Sequence, residues 1–379
     1  MFEHLSDPNP PPLGDEFRES VVTGAHTRQR RTRRAVGGIA MTPLLALGGV
    51  ALYARDQANE LERISVGGLA PAGSVAADPS LPDATTPTAD EVPPIATPLN
   101  LLIVGVDRRP PGSEVEGSRA DTIALIRIDP QQQRVSMLSL PRDLWVTSDD
   151  GRSGRINSYT DNGGLVEVVS SLLRVGINHY IEIDFDGFES LIDLAGGVTV
   201  PFDQAVRDTS TGFTADPGCN TLSGADALAY VRARRLEQLD PATGEWRADP
   251  RADLGRIERQ QDFAQRLYAS VLAQSYSTTD KTRLLTDVVD DITVDTGLDL
   301  DGLRAIFNAA ALIGSSSFDT YDLSASLSGE TIDGNAVLIA DPVGVKSQVD
   351  NLLQAPTDTP ADASILNHED AIEPSTTNC

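Results

Sequence analysis

Asn100–Val106 reads NLLIVGV, an almost unbroken apolar run, and predicts a strand buried on both faces at the centre of a sheet. Thr122–Asp129 (TIALIRID) and Arg134–Leu140 (RVSMLSL) predict two more strands, joined by a tight connection at Gln131–Gln133. At Gly164–Arg174 the spacing changes: Leu165, Val168, Val169, Leu172 and Leu173 fall on one helical face. His179–Phe185 predicts a strand, Asp186–Leu194 a helix that Gly196 and Gly197 stop, and Val198–Pro201 a short strand. A short helix from Gly224 to Ala229 and a long one ending near Gln274 follow. Further helices are predicted at Thr279–Val289, Leu300–Leu312 and Val343–Leu353, with strands at Phe318–Leu323 and Ala336–Ala340. Strands interleaved with helices predict an α/β fold, a mixed central β-sheet flanked by helices on both faces.

Ahead of this pattern stands Ala35–Ala54, AVGGIAMTPLLALGGVALYA, twenty residues without a charge. Helical, such a run spans the roughly 30 Å of a bilayer's hydrocarbon. The basic run Arg28–Arg34 precedes it and acids follow, which predicts a single transmembrane helix with a cytoplasmic N-terminus and an exported remainder. A cleaved signal peptide is the competing reading. Arg55–Ile64 reads as a brief extension of the helix, and Ser65–Pro98, rich in Pro, Ala, Thr and Gly, as a tether. The expected organisation is a basic tail (1–34), a membrane helix (35–54), a stalk and linker (55–98), a catalytic domain (99–275), a C-terminal α/β extension packed on it (276–354) and a disordered tail (355–379).

The chain carries a formal charge of -26, all of it beyond residue 34 since residues 1–34 are net positive, a surface that disfavours nucleic acid. Cys219 and Cys379 match no metal motif; outside the cell they pair as one disulfide, or they stand as two thiols. Against the acidic background, Tyr230–Gln261 concentrates Arg232, Arg234, Arg235, Arg247, Arg251, Arg256 and Arg259. Guanidinium forks match phosphate oxygens bidentately, so the cluster suits a polyphosphate. An extended Tyr230–Arg235 puts Arg232 and Arg234 on one side. A helix begun at Asp253 aligns Arg256 with Gln260 one turn on. The bland reading is a solvated basic face paired with Glu237, Asp240, Glu245, Asp249 and Glu258.

Two carboxylates border predicted strands, Asp107 in GVDRR and Asp121 in SRADTIALI. Paired at a sheet rim, they suit Mg²⁺, with Mn²⁺ as the alternative, because Mg²⁺ takes one or two carboxylates and fills its octahedron with water and phosphate oxygens. Arg142, in Leu140–Asp143 (LPRD), and Arg155, in RINSY, follow.

GVDRR, RADTIALIRID, SLPRD, RINSY, a GGV after a helix, and ALAYVRAR followed by DLGRIERQQ, in that order, resemble the LytR–CpsA–Psr family over about Asn100 to Ala273. The resemblance implies an exported enzyme held by one N-terminal membrane helix. Its implied reaction moves a glycopolymer phosphate from a polyprenyl-pyrophosphate carrier onto a peptidoglycan hydroxyl. It also implies metal ligands at Asp107 and Asp121 and a pyrophosphate site of Arg109, Arg119, Arg142, Arg155, Arg232, Arg234, Arg256 and Gln260, with Asp143 and Asp253 supporting. Asp107, Asp143 and Asp253 are the candidate bases. The family more often has lysine at the position of Arg155, and the stretch between Arg234 and Asp253 exceeds the compact motif, as in actinobacterial-looking members. An isoprenoid slot is implied among the apolar faces of Gly164–Leu173, Asp186–Leu194 and Asp262–Leu272. Two rival readings are a polyprenyl-pyrophosphate hydrolase and a non-catalytic membrane-anchored envelope regulator.

Overall fold

The computed structural model describes residues 61–71, 94–107, 119–160, 164–249, 253–273, 292–354 and 379. The expected membrane helix at 35–54, the basic tail before it, most of the linker, the helix at Thr279–Val289 and residue Arg109 lie outside the described residues. Among the described residues no helix is long and apolar enough to cross a membrane.

In chain order the structure begins with β1 (Glu62–Ile64), β2 (Leu99–Asp107), β3 (Arg119–Asp129) and β4 (Arg134–Leu140). The hairpin β5 (Trp145–Thr147) and β6 (Ser153–Arg155) precedes a 3-10 turn at Ile156–Tyr159 and helix α1 (Leu165–Leu173). Next come β7 (His179–Ile183), α2 (Phe185–Leu194), β8 (Val198–Phe202), β9 (Val206–Asp208), β10 (Phe213–Ala215) and β11 (Gly218–Leu222). Helix α3 (Gly224–Arg232), the pair β12 (Glu237–Leu239) and β13 (Trp246–Ala248), and the long α4 (Asp253–Ala273) follow. The described chain closes with β14 (Ile292–Asp295), α5 (Leu300–Ile313), β15 (Phe318–Asp322), the hairpin β16 (Leu327–Ile332) and β17 (Asn335–Ala340), and α6 (Pro342–Leu353).

Seven strands form the central sheet in the order β1-β14-β7-β2-β3-β4-β15. The two longest central strands, β2 and β3, are antiparallel, whereas β2 and β7 run parallel, so the sheet is mixed. Alternation along β2 explains the two layers around it. Leu101 and Ile103 join a core with Phe188 of α2, Leu228 of α3, Phe263 and Leu267 of α4 and Leu303 of α5. Leu102, Val104 and Val106 join the opposite core with Val166 and Val169 of α1 and Val345 of α6. Each fully buried aliphatic side chain contributes about 1.5–3 kcal/mol, which is why this strand can afford almost no polar residue. The connection between β3 and β4 is tight because Asp129 Oδ1 accepts from the amides of Gln131 and Gln132.

Several expectations are corrected. Glu62–Ile64 does not continue a helix: it is an edge strand, parallel to β14 in the register Glu62↔Thr293. Ala70 donates its amide to the Ile177 carbonyl at 2.7 Å, so the chain is already seated on the fold before Leu99. β14 and β15, in the segment expected to be an extension, belong to the central sheet. The stretch between Arg234 and Asp253 supplies β12 and β13, two strands of a four-stranded sheet β10-β9-β12-β13. Their three-residue lengths are too short to give an alternating pattern to read. Of the two readings open for Cys219 and Cys379, the structure shows the disulfide, which ties Cys379 to β11.

Candidate active site

β2 and β4 both run antiparallel to β3, so the ends of β2 and β4 meet the start of β3 at one edge of the sheet. Asp107 ends β2, and its Cα partner is Arg119, the first residue of β3. The ladder then slips: Val106 faces Ala120 and Gly105 faces Thr122, leaving Asp121 as the extra residue of a β-bulge. Bulges re-aim a side chain at the end of a strand. Here both carboxylates come to lie inside the protein, Asp107 6% and Asp121 5% exposed. Buried carboxylates need cationic company, and Arg142, two residues past β4, donates through Nη1 to Asp121 Oδ1.

Arg232 arrives from the other side of the chain. It is the last residue of α3, and its guanidinium lies 4.6 Å above the centre of the Phe185 ring. Burial pulls its pKa below the ordinary arginine value, opposed by the charges of Asp107, Asp121 and Glu189, while Arg234 adds to the lowering. Arg232 thus sits in the field of both carboxylates. Its Nε is buried without a hydrogen-bond partner among the described residues, a donor suited to an anion's oxygen.

The expectation of an extended Tyr230–Arg235 is corrected, because α3 continues through Arg232 and the chain turns out of the helix at Ala233 (φ -59°, ψ 122°). What fixes this turn comes from neighbours. Arg259 Nη2 donates to the Ala233 carbonyl, and Gln260 Nε2 to the Val231 carbonyl at 3.1 Å. The side chain of Gln260 is therefore a clamp on the arginine-bearing segment. Asp208, fully buried, accepts the Arg235 amide at 2.8 Å from the next residue along.

Arg256, 3% exposed, lies in the first turns of α4, which opens at Asp253. Gly255 before it leaves room for an ion pair: a Cβ there would stand 2.4 Å from Asp249 Oδ2 and 3.1 Å from Arg259 Nη1, and would displace these two side chains, which pair at 3.4 Å. Arg155 lies at the rim, bonded through Nη1 to Asp143 Oδ1 and through Nη2 to Asn335 Oδ1. Arg247 pairs with Asp240 on the surface, away from this cluster in role.

Sequence reasoning did not single out Phe185, Glu189 or Asp208, and it named Arg259 in the arginine cluster without its role as a clamp on the Ala233 carbonyl. An aromatic residue at a strand-to-helix junction has no signature as an arginine shelf. The packing that puts it there turns on Gly224, whose Cβ would meet the Glu189 carbonyl oxygen at 2.2 Å. Only without a side chain can α3 approach α2 so closely.

Asp107 and Asp121 offer two buried carboxylates on adjacent strands, and no group of three or more His, Cys, Asp and Glu gathers among the described residues. That donor set fits Mg²⁺, which needs few protein ligands, better than zinc, which wants three or four nitrogen or sulfur donors.

Residues 83–353 match the LytR_cpsA_psr family, well over half of the chain. The chain belongs to that family. A curated relative, the polyisoprenyl-teichoic acid–peptidoglycan teichoic acid transferase TagU of Oceanobacillus iheyensis, is 32% identical over 217 residues, covering 55% of this chain and 61% of the relative. The chain thus spans about three fifths of that relative's length. Among solved structures, a LytR-Csp2A-Psr enzyme from Actinomyces oris is 28% identical with a TM-score of 0.53, covering 68% of this chain and 94% of its own. The fold is also that of TagV of B. subtilis, at 22% identity and a TM-score of 0.54, over 68% of this chain and 96% of that one. The family match and this likeness agree on a mixed α/β fold around a central mixed sheet.

Proposed function

We propose that the protein is a phosphotransferase that moves a glycopolymer phosphate from a polyprenyl-pyrophosphate carrier onto a peptidoglycan hydroxyl. The observation that carries this reading is Arg142 bonded to the buried Asp121 with Arg232 in the field of the same carboxylate, two half-buried cations brought together in a strongly acidic protein. The relative named above as a teichoic acid transferase supports the reaction class.

In this reading Arg142, Arg232, Arg234 and Arg256 hold the oxygens of the diphosphate, and Arg109 and Arg119 are assigned to the same site from the sequence resemblance alone. The acceptor's hydroxyl oxygen bonds to the phosphorus carrying the glycan, the bridging P–O bond breaks, and polyprenyl monophosphate departs with its new charge against the guanidinium groups. The hydroxyl proton leaves to a carboxylate at the rim. Fixed cations of this kind are worth most where water is excluded, because they need no reorganisation as charge develops. Mg²⁺ bound by Asp107 and Asp121 would neutralise phosphate charge beside them. Ala35–Ala54 would anchor the protein in the membrane, with the catalytic fold outside the cell and its donor in the adjacent leaflet.

The test is the full chain incubated with a lipid-linked donor, short peptidoglycan strands and Mg²⁺, with products read by mass spectrometry. A glycopolymer joined to peptidoglycan through a phosphodiester is the expected product. Release of polyprenyl phosphate with water as the acceptor and no joined product would make the protein a hydrolase.

A further inference from the structure

A line of contacts runs from the buried bulge of β3 to a hairpin more than two hundred residues later in the chain. Asp121 accepts from Arg142, whose Nε lies 3.5 Å from Asp143 Oδ2. The other oxygen of Asp143 accepts from Arg155 Nη1 at 3.2 Å, and Arg155 Nη2 donates to Asn335 Oδ1 at 2.9 Å. Asn335 opens β17 directly after the two-residue loop Asp333–Gly334, with Ile332 and Asn335 as the closing pair. Both loop residues have positive φ, 50° and 77°, the twist that makes a two-residue hairpin turn rigid.

The hairpin is also seated by its backbone. Leu338 donates its amide to the Asp143 carbonyl at 3.0 Å and bridges Leu144 in parallel fashion. One residue, Asp143, is therefore held by the hairpin through its main chain and through the Arg155–Asn335 contact at its side chain. A guanidinium is planar, so fixing its two terminal nitrogens on different acceptors fixes its plane, which an ammonium cannot do. Asn335 contributes no charge, so its effect on the site can only be directional.

We infer that Asn335 and Arg155 are positioning residues for the pyrophosphate site, the hairpin setting Asp143 and through it the orientation of Arg142 on Asp121. This rests on the reading of the site given above. It assigns to the β16–β17 hairpin, whose loop at Asp333–Gly334 is exposed, a role in ligand affinity that its sequence alone does not suggest.

The experiment is a double-mutant cycle on the full chain in detergent, with farnesyl pyrophosphate and Mg²⁺ as the probe, affinity read by calorimetry and folding by thermal melting. Asn335→Ala weakens binding by about 3- to 10-fold, the lower part of the range for residues coupled in one ion-pair network. In an Arg155→Ala background the same change has no further effect. Asn335→Asp, which keeps an oxygen facing Arg155, binds within about twofold of the parent, as an intact contact requires. Equal losses from Asn335→Ala in both backgrounds, or a lowered melting point with unchanged affinity, would overturn the inference. Arg232→Ala is the control: if it binds the probe as the parent does, the pyrophosphate reading itself fails, whatever Asn335 does.

Discussion

Arg142 Nη1 donates to Asp121 Oδ1, joining the segment just after β4 to the bulged residue of β3. The pair is lopsided in exposure, with 20% of the arginine side chain and 4% of the aspartate side chain in contact with solvent. The carboxylate is committed to the interior, and the guanidinium spans from it toward the rim. Under the proposed reaction, Arg142→Ala lowers the transfer rate by about 10²–10³-fold, the loss expected for one preorganised transition-state donor. Arg142→Lys keeps the charge but not the fork, and recovers only part of that loss. Single-turnover rates on a lipid-linked donor check both; a lysine variant equal to the parent would mean that charge alone matters.

The approach of α2 to α3 depends on the absence of one methyl group. Gly224→Ala would place a Cβ 2.2 Å from the Glu189 carbonyl oxygen, and that atom is main chain, which cannot swing aside. The helices must separate, at a cost of about 1–3 kcal/mol for overpacking. This outweighs the roughly 1 kcal/mol by which alanine exceeds glycine in helix propensity. Phe185 and Glu189 sit on the displaced helix beside Arg232, so ligand affinity should fall together with the melting temperature. A variant that melts at or above the parent temperature would contradict the packing argument.

The central strands were legible because they are buried on both sides: an apolar run such as NLLIVGV has few other uses. Arg134–Leu140 was read with its observed ends for the same reason. The carboxylates and Arg142 were legible by position, at the ends of such strands. The path of the arginine segment was not. Whether Tyr230–Arg235 is strand or helix depends on Gln260 and Arg259 gripping the carbonyls of Val231 and Ala233, and those partners lie more than twenty residues away. β1, at the sheet edge, and β14 beside it are three and four residues long, too short for a pattern, and are recognised by their pairing. The bulge at Asp121 likewise leaves no mark in composition, being a relation between two strands.

Asp208 gives the fold an acid-sensitive joint beside the arginine segment. Burial raises the pKa of its carboxyl, but the Ser210 hydroxyl and the amides of Arg235, Ser210 and Thr211 outweigh that effect and hold it below the usual carboxylate range. A group whose folded value is depressed stabilises the protein above its unfolded value, near 3.9, and loses that contribution as pH falls through the folded value. Asp208→Asn should therefore lower stability at pH 7 by about 1.5–3 kcal/mol, as expected for hydrogen bonds to a buried charge. The gap between parent and variant should narrow below about pH 4. Thermal melts of both from pH 7 down to pH 3 test this; a gap that stays constant across that range would show that the charge of Asp208 is not what holds the joint.

The disulfide between Cys219 and Cys379 closes a loop with a sequence separation of 160 and pins the C-terminal residue to β11, which pairs with β8. Both cysteines are exposed, so a reductant can reach them without unfolding the protein. Restricting the unfolded chain in this way contributes typically about 2–4 kcal/mol, and persistence of the bond needs an oxidising compartment, as the location proposed above for the fold would supply. Cys219→Ser should lower the melting temperature, and the parent treated with dithiothreitol should melt with the variant. Reductant should leave the variant unchanged, which separates loss of the bond from any effect of the serine. If the parent melts identically with and without reductant while thiol alkylation confirms that the bond has opened, the cross-link holds the tail in place without stabilising the fold.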